Sequence, residues 1–310
     1  MVDIETFLTT LYVMSDDFCK WHLPAEALQP GPQASLSRSE VITLALFGQW
    51  VQFPSERAFY RYAQHHLRAA FPDLPDRSQF NRLMRAHCDA ITAFGLYLVR
   101  LLHAQACLYE VLDSTAAVTR DAKRRGSGWL AGQADIGWSN RIGWYEGFHL
   151  LLCVTPMGVM SGFGFGSAST HDQHLAATLF AVRKTPSPRL PSAGLPAHGS
   201  YVADKGKAFE QPHRRWRAEL QAAVVTPPHQ TSKRVRWPKA LRRWLASIRQ
   251  IIETVNDKLL NTFRLARERP HELTGFQARL AAKVSLHNFC IWFNLQLGRA
   301  PLAFAELLAW

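Results

Sequence analysis

The chain has 310 residues, 47% of them apolar, with a formal net charge of +12 and a pI of about 9.8. That is enough apolar material for one large or two smaller buried cores, and such a charge points to a polyanionic partner: DNA, RNA or an acidic membrane surface. No apolar run approaches the roughly 18 residues that spanning a membrane needs, and the N-terminus lacks a signal-peptide pattern. The five cysteines (Cys19, Cys88, Cys107, Cys153, Cys290) form no CxxC pair, which argues against a zinc site or disulfide framework and for reduced thiols in a cytosol.

Residues 1 to about 105 read as all-helical. Ile4 to Cys19 carries spaced apolar positions, and Gln29-Pro30-Gly31-Pro32 breaks the chain. Ser37 with Glu40 three residues on matches a capping box, and Val41 to Trp50 is the helix it starts. A further helix begins at Ser55 and carries Arg57, Tyr60, Arg61 and Tyr62 to the Phe71-Pro72-Asp73-Leu74-Pro75 loop. Ser78 is placed to cap another, with Arg77, Asn81, Arg82 and Arg85 on its exposed side. Short helices ending in a basic one fit a helix-turn-helix module, or equally a bundle with solvated arginines. Asp89 to His103 then leads into a second domain.

From Cys107 the texture turns to β. Cys107 to Leu112 is apolar and β-prone and stops at Asp113, followed by Ser114 and Thr115. This is either a buried strand delivering an acid to a sheet edge or a strand ending in an Asx turn. Arg120 to Gly143 has no regular pattern. Gly147 to Val154 reads as a buried strand, Thr155-Pro156-Met157-Gly158 as a hairpin turn, and Val159 to Ser167 as the returning strand. A helix over Asp172 to Val182 and a Pro/Ser/Gly-rich loop over Lys184 to Gly199 follow. Ser200 to Gly206 repeats the strand-then-acid theme at Asp204, and Gln221 to Thr226 is one more strand. Ala240 to Phe263 is helical, with Leu245, Ile248, Ile252, Val255 and Leu259 as its buried stripe, and a last helix runs from about Phe276 to Leu297.

Between Lys205 and Arg249 the basic residues outnumber the acids several to one, interleaved with Trp216, Trp237 and Trp244. Cations and flat rings suit phosphates and unstacked bases; the plainer reading is a solvated face with each Trp packed inward. Asp113, Asp204 and Glu253, about 90 and 50 residues apart, are the acids that stand out. Two aspartates on neighbouring strands of a mixed sheet and a glutamate on a helix packed across it could converge on a pair of Mg²⁺ ions. Each also has a simpler use: Asp204 as a helix cap, Glu253 as the i,i+4 partner of Arg249. Glu110, three residues before Asp113, is expected to face the other side of the sheet. Asp172 is expected to cap a helix or to lie near the metals.

Leu112-Asp113-Ser114-Thr115, Ala203-Asp204-Lys205-Gly206 and Arg249-Gln250-Ile251-Ile252-Glu253-Thr254-Val255 resemble the three acid motifs of DDE-type insertion-sequence transposases. The stretches 36–43, 55–61, 77–82 and 283–288 are similar to the insertion-sequence 982 family. The resemblance implies an α/β ribonuclease H-like catalytic domain (106–310), a mixed sheet flanked by helices, preceded by an all-α DNA-binding domain (1–105). It implies catalytic and metal-binding roles for Asp113, Asp204 and Glu253 with two Mg²⁺ ions, Mn²⁺ being able to substitute. The DNA contacts expected are Arg249, Lys205, Lys207, Lys233, Arg234, Arg236, Arg242, Arg243, Arg77 and Arg82. The partners implied are transposon terminal inverted repeats and target DNA, with a homodimer in the DNA complex, no membrane, and a place in the bacterial cytosol at the nucleoid. Ala203 departs from the glycine common before the second Asp. Of the wider Tyr-x2-Arg-x3-Glu-x6-Lys signature only Arg249 and Glu253 remain, with Ala246 and Leu260 at the outer positions and Lys258 on a different helical face. A non-catalytic DNA-binding derivative of such an enzyme and a nuclease that cuts without joining are the competing readings.

Overall fold

Each of the first four helices begins where a side chain can satisfy its first amides. In the computed structural model, which describes residues 1–25, 34–121, 123, 128, 130–184, 199–204, 210–228 and 237–310, a two-residue strand β1 (Val2–Asp3) leads into α1 (Ile4–His22), and the Asp3 carboxylate accepts from the Thr6 amide. The helix α2 (Arg38–Phe47) carries the full capping box of Ser37 and Glu40, as its sequence indicates. Ser55 caps α3 (Glu56–His66). The next helix, α4 (Arg77–Ala86), is capped by Asp76 and not by Ser78: Asp76 Oδ1 accepts from the amides of Ser78 and Gln79 at 2.8 and 3.0 Å, and the Ser78 hydroxyl donates to the same oxygen. The connection between α3 and α4 takes residues 67–76, longer than the three- or four-residue turn of a helix-turn-helix. Then comes α5 (Cys88–Leu101).

The sheet region follows. The strand carrying Asp113 does not stop there: β2 (Glu110–Arg120) runs seven residues further. The unpatterned stretch after it supplies β3 (Asp135–Ser139), which forms a hairpin with β4 (Gly143–Val154). Next are β5 (Met160–Ser167), α6 (Asp172–Lys184), β6 (Ser200–Ala203), α7 (Glu210–Leu220), β7 (Ala223–Val225) and α8 (Lys239–Asp257). The strands lie in the order β3-β4-β2-β6-β7, with β5 also paired to β4. The pairs β2/β4, β3/β4 and β4/β5 are antiparallel, whereas β2/β6 and β6/β7 are parallel. This is the ribonuclease H-like mixed sheet that the sequence leads one to expect, with helices packed on it. Strand parity divides its faces. Leu112, Leu151, Cys153, Tyr201 and Ala203 form one face, packed with Leu175, Ala176, Leu179 and Phe180 of α6 and Trp216 of α7. The helix α8 packs on β2, β4 and β6.

Beyond α8 the helix widens into π geometry over Lys258–Thr262, then α9 (Leu273–Gln296) and β8 (Leu308–Ala309) follow, β8 pairing in parallel with β1. The chain packs as two compact units, Met1–Leu98 with Asn261–Trp310, and Val99–Leu260. The sequence reading puts one boundary near residue 105 and assigns 106–310 to one domain; in packing, residues 261–310 join the N-terminal helices instead. In that first unit Phe7 meets Phe289 and Phe293 edge-on at 5.2 and 5.4 Å. No helix among the described residues is long and apolar enough to cross a membrane.

Candidate active site

Strand register puts two of the three acids side by side. In the parallel β2/β6 pair Leu112 lies opposite Ala203, so Asp113 and Asp204 occupy corresponding positions one residue on, on chains about 4.8 Å apart. β6 ends at Ala203, so both acids sit where the β2/β6 ladder opens. Asp113 is half-buried and Asp204 is 38% exposed at its side chain. Because Leu112 and Ala203 face α6, Asp113 and Asp204 face the other side. α8 covers that side: Arg249 Nη1 lies 3.3 Å from Asp204 Oδ1.

Glu110 goes where parity sends it, to the opposite face. It is fully buried, and its carboxylate accepts from Arg183 Nη1 of α6 and from the Ser161 hydroxyl. Arg183 also donates to Tyr201 Oη at 3.1 Å and to Ser161 Oγ at 3.0 Å. Although burial opposes its charge, the carboxylate and its neighbours hold the Arg183 guanidinium protonated, and burial pushes the Tyr201 phenol up to about 12. This network is a scaffold that fixes α6 against the sheet. Asp172 begins α6, with Oδ1 3.2 Å from His149 Nε2. His149 lies opposite Ala116, three residues beyond Asp113, so this pair is on the scaffold face, away from Asp113 and Asp204.

Glu253 is exposed on α8, one helical turn past Arg249. Among the described residues no group of three or more His, Cys, Asp or Glu is gathered to hold a metal ion. Asp113 and Asp204 are brought together by register, Arg249 lies on Asp204, and Glu253 stays a turn away. Two adjacent carboxylates still suit a hard cation, since Mg²⁺ commonly takes one or two carboxylates and completes its shell with water and substrate phosphate oxygens.

Of the expected DNA contacts, Arg242 and Arg243 are exposed near the start of α8, and Arg242 is seven residues before Arg249, on the same stripe. Arg77 and Arg82 are exposed on α4. Lys205, Lys207, Lys233, Arg234 and Arg236 lie outside the described residues. Trp216 is a core residue at 4% exposure, whereas Trp244 is 52% exposed. Leu260 is buried, and Lys258 follows α8 in the π-helical turn. Sequence reasoning did not find the exposed cross-strand pair Trp138 and Trp144, whose rings meet edge-on at 5.4 Å; the signal was two tryptophans flanking a Ser-Asn-Arg-Ile-Gly turn.

A protein-family model described as "Transposase DDE domain" matches residues 111–289, a span that includes Asp113, Asp204 and Glu253. No curated protein matches the chain.

Proposed function

The chain belongs to the DDE transposase family, and from that premise we propose that it cuts the DNA ends of an insertion element and joins them to target DNA. The observation that carries the proposal is the register that sets Asp113 beside Asp204 at the open end of the β2/β6 ladder. DDE transposases generally use divalent metals; the ion inferred for this chain is Mg²⁺, with Mn²⁺ able to substitute; Asp113 and Asp204 would hold it, and the resemblance of the 249–255 stretch to the third acid motif adds Glu253. When bound, a pair of such ions activates water or a 3′-hydroxyl and stabilises the leaving oxygen.

The chain's own residues supply position and charge. β2 carries Asp113 and the end of β6 delivers Asp204 beside it, so the backbone positions of the two acids are set before substrate arrives. Arg249 offsets the repulsion between the two carboxylates by lying on Asp204, and its fork of N–H donors suits a phosphate. Arg242 and Arg249, on one stripe of α8, lead a phosphate backbone towards Asp204. Glu253, on that same stripe, provides the third carboxylate. Lys205, Lys207, Lys233, Arg234, Arg236 and Arg243 add cationic contacts to DNA, and Arg77 and Arg82 contact the terminal repeats. Water is the nucleophile for end cleavage and a freed 3′-hydroxyl for strand transfer. The motifs in residues 36–43 and 77–82 support placement near the insertion-sequence 982 family, with a homodimer on DNA and a site of action at the nucleoid in the cytosol.

The test is cleavage of a cognate end, and joining of labelled ends to target DNA, by wild type and by Asp113→Asn, Asp204→Asn and Glu253→Gln. Each substitution is expected to lower both steps at least about 100-fold, more than an outer-shell change does, with the circular dichroism spectrum unchanged. Wild-type rates in Glu253→Gln would remove Glu253 from the mechanism, and wild-type rates in all three would end the proposal.

A further inference from the structure

The first unit holds a cationic pocket assembled from chain segments nearly 200 residues apart. Along α4, Arg77, Asn81 and Arg85 fall at i, i+4 and i+8, one stripe of a helix. That stripe lines a cavity of about 330 Å³ together with Arg269 and Arg279 from the segment around the start of α9. Arg82 is not among the lining residues. Two carboxylates also line the cavity. Glu272 lies 2.8 Å from Arg85, and Glu56 lies 3.6 Å from Arg279, which Glu268 holds from behind at 2.8 Å. Four arginines against two glutamates leave the lining two positive charges in excess, before His271 is counted.

Two acceptors on the lining residues are unmet. Asn81 Oδ1 and Glu56 Oε1 are buried without a hydrogen-bond partner. Buried polar atoms are ordinarily satisfied, so the cavity suits a ligand that brings an anion for the arginines and an N–H donor for these oxygens. A nucleotide unit of DNA has both, a phosphate and an exocyclic base amine, and asparagine pairs well with an adenine edge.

Taking the DNA substrate of the proposed function as given, we propose that this pocket grips a DNA phosphate through Arg77, Arg85 and Arg269 while Asn81 contacts the neighbouring base. Recognition of the element's end is then a joint property of α4 and of the residues leading into α9, and not of the N-terminal helices alone. Arg279, tied to Glu56 and Glu268, forms the fixed wall.

The experiment is DNA binding by the full chain, followed by fluorescence anisotropy over a range of salt, on an end fragment and on a scrambled duplex. Arg77→Ala and Arg269→Ala are each expected to lower the slope of log affinity against log salt by about one. Arg267→Ala, the same charge change in the same segment but outside the pocket lining, serves as the comparison and is expected to leave the slope alone. Asn81→Ala is expected to keep the slope and to cut the preference for the end fragment about tenfold. If wild type shows no salt-dependent DNA binding, the transposase reading itself fails. If wild type binds DNA and Arg269→Ala behaves as Arg267→Ala does, the composite pocket is wrong. A second arm measures thermal stabilisation by inorganic phosphate: stabilisation that Arg269→Ala abolishes, with DNA affinity intact, would make this a free-anion site and overturn the DNA assignment.

Discussion

Lys283 sits fully buried in α9 with its ammonium 2.8 Å from Glu268 Oε1 and 2.7 Å from Gln49 Oε1. Burial alone would raise the Glu268 carboxyl, but the Lys283 ammonium and the Arg279 guanidinium outweigh it and hold the group down at about 2, against an ordinary 4.5. A folded value below the unfolded one means that this contribution is complete above about 4.5 and is lost as pH falls towards 2. Denaturant unfolding of wild type between pH 5 and 3 is therefore expected to show stability falling with pH. Glu268→Gln leaves two cations facing a neutral amide, which costs about 3–5 kcal/mol near neutral pH, and the variant's pH dependence over the same range should be flatter. Equal slopes for the two proteins would remove Glu268 as the acid-sensitive group. What sequence reveals at this scale is orientation more than partnership. Parity alone separates Glu110 from Asp113, yet nothing local announces that Glu110 will meet Arg183, 73 residues on. Nor does it show the fit at Gly162, where a Cβ would stand 2.7 Å from Arg183 Nη2.

At the scale of elements, α2 separates the contribution of a cap from that of burial. Ser37 and Glu40 close its N-terminus reciprocally, and every residue from Val41 to Phe47 is buried. Ser37→Ala is expected to cost about 1 kcal/mol and Ile42→Ala about 2–5 kcal/mol, so chemical denaturation should rank the interior change well above the cap. A larger loss from Ser37→Ala would mean that the cap governs this helix. The start of α2 is legible because its signal lies within four residues. The start of α4 is misread because Asp76 precedes Ser78, and the earlier side chain reaches the same free amides first. β3 is five residues long at the sheet edge with mostly exposed positions, so it carries no apolar run. In α7, Trp216 is the buried anchor among arginines, and Pro212 in its first turn, a position that tolerates proline, reads as a breaker. The strands of the candidate site are legible for the converse reason, since two apolar runs end near acids. The register that aligns them depends on pairing across about 90 residues, which no local pattern encodes.

For the whole molecule, the last fifty residues pack into the same core as the first hundred. α9 is buried on nearly all sides, from Phe276 to Phe293, its buried set including Lys283, Ser285, His287 and Asn288; a helix buried all round must be covered everywhere, but its own sequence does not name the cover. The structure supplies it through contacts of α9 with α2 and α4, the Phe7 contacts with Phe289 and Phe293, and the Arg264 guanidinium donating to the Phe53 and Gly48 carbonyls. These are long-range closures, slow to form because the intervening chain must be ordered first. A chain ending at Leu260 keeps every strand of the ribonuclease H-like sheet but loses these closures. Hydrogen exchange is then expected to find β2 and β4 amides protected in that truncated chain, while amides of α1 and α2, well protected in the full-length protein, exchange within the dead time of the measurement. Protection of α2 at its full-length level would show instead that the N-terminal helices hold a core of their own, and that residues 261–310 only dock onto it.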